Sequence, residues 1–135
     1  MDKLFLDANV LFTAAHNAVG KAAFLFDHAG AKRWKLLSSA FAIEEARRNI
    51  AAKYPHCLSR LEQLMVLLTK GPQPQAMATP IALPEKDQPV FLSARSAGAT
   101  HLLTGDLKHF GPYMNKPGKS GGLLIQTVAD YIAGL

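Results

Sequence analysis

The chain has 135 residues, of which 49% are hydrophobic and 19% charged, with a net charge of +5 and a single cysteine, Cys57. This composition fits one globular domain spanning residues 1–135, and it excludes a disordered chain, an intramolecular disulfide and a CxxC metal site. No apolar run nears the roughly 20 residues of a membrane span, and Asp7 interrupts the N-terminal apolar run before it resembles a signal peptide, so the expectation is a soluble, cytoplasmic protein.

The elements follow in chain order. Lys3 to Leu6 reads as a buried strand ending at Asp7. Asn9 to Ala15 begins a helix that Gly20 interrupts, and Ala22 to His28 continues it, with Gly30 as a helix-closing residue. Lys32 to Leu37 reads as a second strand. Ser38 and Ser39 are candidate caps for a helix from Ala40 to Lys53, on which Phe41, Ile43, Ala46 and Ile50 lie near helical spacing. Tyr54-Pro55 breaks that helix, and Leu58, Leu61, Leu64, Met65 and Leu68 form the apolar stripe of the next.

Gly71 to Pro74 reads as a loop, Gln75 to Ala78 as a short strand, and Thr79 to Lys86 as a rigid connection. Asp87-Gln88-Pro89 opens a helix with Asp87 as its cap, Val90, Phe91, Ala94 and Ala97 facing the sheet, and Gly98 closing it. His101 to Thr104 is a strand followed at once by Gly105-Asp106. Lys108 to Ser120 is a Gly/Pro/Lys loop, Leu123 to Ile125 a last strand, and Thr127 the cap of a terminal helix carrying Val128, Ile132 and Leu135. Strands alternating with helices mean an α/β fold with a parallel sheet covered on both faces.

Two strands that each end in Asp bring Asp7 and Asp106 to one rim of such a sheet, where ligands bind. Either Asp alone reads as a turn or cap residue; the pair points to a site. Glu44 and Glu45 lie about two turns into the helix after the second strand, which starts at the same rim, so a carboxylate there can point back across it. Glu44 reads as a solvated helix former, leaving Glu45, although a shift in helical register exchanges the two. Asp87, at another helix start, completes a set of four. Such a cluster repels itself unless cations neutralise it, and hard oxygen donors favour Mg2+ or Mn2+ over zinc. Two such ions about 4 Å apart activate a water and stabilise the leaving oxygen of a phosphodiester. With four of the ten acids in one site, six remain against fifteen Lys and Arg, so an acidic pit sits in a basic surface suited to a polyanion.

The segments Leu6-Asp7-Ala8-Asn9-Val10-Leu11, Ser39 to Asn49, Asp87-Gln88-Pro89-Val90 and Leu103-Thr104-Gly105-Asp106-Leu107-Lys108-His109-Phe110 resemble, in order and approximate spacing, the PIN-domain ribonucleases, which include VapC-like toxins. The resemblance covers nearly the whole chain. It implies a three-layer α/β/α fold around a five-stranded parallel sheet and metal-dependent cleavage of RNA. Asp7, Glu45, Asp87 and Asp106 resemble the acidic quartet that binds metal and catalyses, with Asn9 and Thr104 steadying it. It also implies a small antitoxin partner that blocks the site, and a homodimer. Arg47, Arg48 and Lys108 are candidates for the RNA path, or else ordinary surface charges. His109 reads as a partly exposed loop residue and Trp34 as core or interface, while Lys116 to Gly121 lacks the spacing of a P-loop.

Three functions compete. A Mg2+-dependent endoribonuclease requires the carboxylates. A non-catalytic RNA- or protein-binding module of the same fold is indifferent to their loss. A small-molecule phosphohydrolase with Asp7 as nucleophile usually has a second Asp two residues on, where this chain has Asn9.

Overall fold

Leu4, Phe5 and Leu6 are wholly buried, as the middle strand of a sheet covered on both faces requires. The computed structural model describes residues 1–29, 33–71 and 81–135. In it, β1 (Asp2–Leu6) lies between β2 (Trp34–Ser38) and β4 (His101–Leu103). β3 (Thr69–Lys70) pairs with β2 at one edge, and β5 (Leu124–Gln126) pairs with β4 at the other. The order β3-β2-β1-β4-β5 is parallel throughout, with Leu4 opposite Leu36 on one side and opposite His101 on the other. The α/β class, the parallel sheet and the five strands are as expected.

Among the described residues the α-helices are α1 (Ala8–His16), α2 (Lys21–Asp27), α3 (Ala40–Lys53), α4 (Leu58–Met65), α5 (Gln88–Ser96), α6 (Leu107–Phe110) and α7 (Val128–Ala133). Strand side chains alternate between faces, and the core divides accordingly. Leu4, Leu6, Trp34, Leu36 and Leu103 pack with the buried faces of α1 to α4 and Tyr131 of α7. Phe5, Leu37, Leu102 and Ile125 pack with Val90, Phe91 and Ala94 of α5 and with Phe110. Trp34 belongs to the first of these two groups, its indole N–H donating to the Leu25 carbonyl at 2.9 Å. Emptying a position such as Leu6 to alanine removes about 2–5 kcal/mol of stability.

Local signals explain the helix ends. The Ser39 hydroxyl accepts from Ala42 N–H and starts α3, whereas the Ser38 hydroxyl donates to the Leu6 carbonyl and ties β2 to β1. Pro55 disfavours helical backbone at Tyr54, and α3 stops there. Gly98, at φ +70°, closes α5: its N–H donates to Arg95 and that of Ala99 to Ala94, a pairing that needs the left-handed conformation. Thr127 caps α7 by accepting from Asp130 N–H.

Some boundaries differ from the sequence reading. Thr69–Lys70 is a strand that no apolar run announces, since both residues are exposed. The stretch from Lys108 to Ser120 is more ordered than a loop. It holds the end of α6 and short helical turns at Gly111–Tyr113 and Pro117–Lys119. The expected helix close at Gly30, the strand entrance at Lys32, the loop residues Pro72 to Pro74, the strand Gln75–Ala78 and the residues Thr79 and Pro80 lie outside the described residues.

The strand order reverses beside β1: the chain steps outward through β2 and β3, then places β4 on the opposite side. A crevice opens at such a point beyond the carboxyl ends of the two central strands. Asp7 and Thr104-Gly105-Asp106 follow those two ends.

Candidate active site

Asp7 leaves β1 with its N–H donating to the Leu103 carbonyl at 3.1 Å, which extends the β1–β4 pairing by one residue and fixes its carboxylate at the crevice. It is 7% exposed. Its Oδ1 accepts from Ala8 N–H at 2.7 Å and caps α1; its Oδ2 accepts from the Thr104 hydroxyl at 2.8 Å and from Asn9 Nδ2 at 3.2 Å. Thr104 Oγ1 in turn accepts from Asn9 Nδ2 at 3.2 Å and from Asp106 N–H at 3.1 Å, while Asn9 Oδ1 accepts from Gly105 N–H at 2.8 Å. Asn9 and Thr104 thus lock the first carboxylate to the turn that carries the second.

Asp106 caps α6, with Oδ1 accepting from His109 N–H at 3.1 Å and Oδ2 lying 2.8 Å from His109 Nδ1. The same nitrogen lies 2.9 Å from Asp87 Oδ2. One ring nitrogen carries at most one hydrogen and cannot serve both oxygens. Asp87 Oδ2 is accordingly buried with no hydrogen-bond partner. This corrects the capping role expected of Asp87. It ends the helical turn Glu85–Asp87, which runs directly into α5, so its backbone is already helical and its carboxylate makes no cap. Pro89 in the first turn offers no N–H to receive one.

The remaining acid comes from α3. Glu45 is half-buried and lines a cleft of about 360 Å³ together with Asp7, Asp87 and Asp106. Glu44 does not line it; its side chain is 60% exposed and 3.7 Å from Arg47. The cleft's other walls are Asn9 and Phe12 of α1, Phe41, Asn49 and Lys53 of α3, and Lys86 and Val90 near the start of α5.

Electrostatics separate the two strand-end carboxylates. Burial pushes the Asp7 carboxyl above the usual carboxylate range, and the charges of Glu45 and Asp87 push it further against the opposing hydrogen bonds from Thr104 and Ala8. Burial acts in the same direction on Asp106, but the side-chain and backbone hydrogen bonds from His109 outweigh it and hold that carboxyl below its ordinary value.

Among the described residues, Asp87, Asp106 and His109 offer ligand atoms within 4.8 Å of one another, a grouping that could hold a metal ion. The donor chemistry fits a divalent cation. The oxygens are hard, the imidazole suits first-row metals, and the orphaned Asp87 oxygen and raised Asp7 carboxyl both lack a compensating positive charge. The structure therefore brings Asp7, Glu45, Asp87, Asp106, Asn9 and Thr104 to one rim. It does not bring the three basic candidates into the cleft. Arg47 forms a two-pronged pair with Glu62, at 2.6 and 3.0 Å, and Arg48 and Lys108 are exposed outside the cleft lining. Sequence reasoning missed His109 as a site residue, although its place three residues after Asp106 in a helix-forming stretch was a usable signal. It also missed Lys53, twelve residues beyond Phe41 on a repeat of four that passes through Glu45 and Asn49.

Comparison with known proteins gives structural matches alone. No family model and no curated protein matches the sequence. Among solved structures, a chain of VapBC2 from Rickettsia felis, determined bound to a DNA fragment from the VapBC2 promoter, matches with a TM-score of 0.63 at 13% identity, over 93% of this chain and 98% of that one. VapBC-1 from nontypeable Haemophilus influenzae matches with a TM-score of 0.58 at 14% identity, over 94% of this chain and 98% of that one. The fold is PIN-like. At such identities the likeness speaks for the architecture, and the chemistry of this PIN-like chain rests on its own carboxylates.

Proposed function

We propose that this protein is a metal-dependent endoribonuclease, with Asp7, Glu45, Asp87 and Asp106 as metal-binding and catalytic carboxylates and Mg2+, or Mn2+, as the cofactor. The single observation that carries the reading is the convergence of all four acids on one cleft at the β1/β4 strand ends, in a chain of net charge +5. A divalent cation bound there supplies Lewis-acid charge for the phosphodiester oxygens and for the attacking water.

The chain's own residues do the rest. Thr104 and Asn9 hold the Asp7 carboxylate in one orientation, so no reorganisation is needed when substrate arrives. His109 holds Asp106 ionised and sets its spacing from Asp87. Lys53 and Lys86, at the cleft walls, attract the phosphate backbone toward an otherwise anionic pit.

The proposal includes a biological setting: a cytoplasmic toxin of a toxin–antitoxin pair, or a stand-alone PIN-domain nuclease, acting as a homodimer. Support for a small antitoxin partner is that both structural neighbours come from VapBC assemblies. No helix among the described residues is long and apolar enough to cross a membrane.

The test is cleavage of RNA by purified protein with Mg2+ or Mn2+. Activity that EDTA removes and that Asp7→Asn abolishes is the expected result. Cleavage that survives both treatments would sink the reading, as would none under any divalent metal. Growth arrest on expression, relieved by a small protein encoded beside this chain, tests the toxin setting separately.

A further inference from the structure

The cleft does not end at its acids. Two helical stripes run away from them. On α1, Asn9, Phe12 and His16 follow one another at steps of three and four; on α3, Phe41, Glu45, Asn49 and Lys53 follow at steps of four. Residues so spaced share a helix face. The α3 stripe extends about 18 Å from its start near the carboxylates. Its far end meets the far end of the α1 stripe in an aromatic group at the surface. His16 stacks on Tyr54 with centroids 3.9 Å apart and planes at 27°, Phe12 lies 6.0 Å from His16 and 5.9 Å from Tyr54, and Lys53 Nζ sits 5.7 Å over the Phe12 ring.

This group differs from the aromatic contacts of the core. Phe12 and Tyr54 are only half-buried, and His16, Lys53 and the neighbouring His56 are exposed. Phe12 and Lys53 also line the acidic cleft, so the two regions form one continuous surface.

We propose that Phe12, His16 and Tyr54 form a stacking ledge for an unpaired nucleobase, and that Lys53 binds the phosphate joining that base to the group in the cleft. The proposal rests on the nuclease reading and deepens it by placing a base-binding subsite beside the cleft. Aromatic faces accept any base, but only one not already enclosed in a duplex stack. A cation beside the rings selects a polyanion over an apolar peptide, and the order acid, aromatic, cation along the groove matches a nucleotide flanking a scissile phosphate.

The experiment is fluorescence anisotropy of a labelled single-stranded RNA about seven uridines long, with Ca2+ in place of Mg2+ to support binding without turnover. The same sugar-phosphate chain without bases, and a duplex of the same length, serve as comparison probes. The RNA should bind about tenfold tighter than the abasic chain or the duplex. Tyr54→Ala should remove about that factor for the RNA alone, Tyr54→Phe should keep it, and the exposed His16→Ala should reproduce a smaller loss should Tyr54→Ala disturb the helix end. Equal affinity for RNA and the abasic chain overturns the ledge, as does RNA binding indifferent to both Tyr54→Ala and His16→Ala. Base-dependent binding without metal-dependent cleavage would leave the ledge standing and remove the nuclease reading; cleavage without base dependence would do the reverse.

Discussion

The Asp7 carboxylate and the Thr104 hydroxyl lie 97 positions apart in the chain and 2.8 Å apart in space. That bond joins the ends of β1 and β4 at the point where the strand order reverses. Thr104 donates to Asp7 while accepting from Asn9 and from the Asp106 backbone, so a single hydroxyl sets the relation between two carboxylates. Thr104→Val keeps the shape and removes all three bonds. Loss of buried, partly charged hydrogen bonds predicts a destabilisation of about 1–3 kcal/mol. Thr104→Ser should recover most of it. Urea midpoints of the three proteins decide the matter.

The raised pKa of Asp7 gives a second prediction, with an unusual sign. A carboxyl whose folded pKa exceeds its unfolded value binds protons more tightly in the native state, so it lowers stability as pH rises through the folded pKa. Asp106, held below its ordinary value, acts oppositely: its contribution is present above the unfolded pKa and disappears as pH falls through the folded one. In EDTA at neutral pH, Asp7→Asn should therefore melt higher than the wild type. The advantage should shrink as pH is lowered into the range where Asp7 takes up its proton. Saturating Mg2+ should reverse the order, because a cation held at 100 times its Kd adds about 2.7 kcal/mol to the protein that binds it.

His109 supports a third. Its Nδ1 bonds Asp106 Oδ2 and passes within 2.9 Å of Asp87 Oδ2, which it leaves without a hydrogen-bond partner. His109→Ala should destabilise the metal-free protein by about 1 kcal/mol, the lower part of the range because the groups are partly exposed. Mn2+ should restore much of that loss by pairing with both carboxylates. Denaturation midpoints with and without Mn2+, compared for wild type and variant, measure the interaction directly. An identical Mn2+ increment in both proteins would place His109 outside the metal's surroundings.

These residues also mark what could be read from the chain. Asp7 and Asp106 were legible as a pair, because two apolar strands that each end in a carboxylate share one rim of a parallel sheet. Glu45 was legible because Ile43 fixes the buried side of its helix, and the structure turns Glu45 rather than Glu44 toward the cleft. Asp87 was found for partly the wrong reason: its helix start was visible, but not the preceding turn that makes its backbone helical. Thr69–Lys70 was invisible because its strand character comes from pairing with Leu37–Ser38 and not from its own residues. The contact of His109 with Asp106 follows from their spacing of three, but its approach to Asp87 depends on where α6 meets the start of α5, which no local pattern encodes. The pairing of Arg47 could not be read for a similar reason, since its partner Glu62 lies on the next helix.

Gly98 supplies a fourth prediction, one that separates fold from site. Its φ of +70° closes α5, and a side chain there would meet nothing within 4 Å. Gly98→Ala therefore tests backbone strain alone and should reduce stability by about 1–2 kcal/mol, with Gly98→Asn less harmful. RNA cleavage at a temperature well below the melting transition should be unchanged, since the closing turn lies at the end of α5 remote from Asp87.

The last prediction sets two of the three cations of α3, Arg47 and Lys53, against each other. Arg47 spends its guanidinium on Glu62 in a two-pronged contact on the surface, whereas Lys53 lines the cleft and overlies Phe12. Each phosphate neutralised on a single strand contributes about 0.7 to the slope of log K against log salt. Lys53→Ala should accordingly lower that slope by about one phosphate contact and weaken binding of single-stranded RNA, while Arg47→Ala should leave the slope unchanged and lose at most about 1 kcal/mol of stability with its surface pair. Salt titrations of RNA binding for the two variants read both effects. A slope lowered by Arg47→Ala and untouched by Lys53→Ala would move the RNA path off the cleft and onto the outer face of α3.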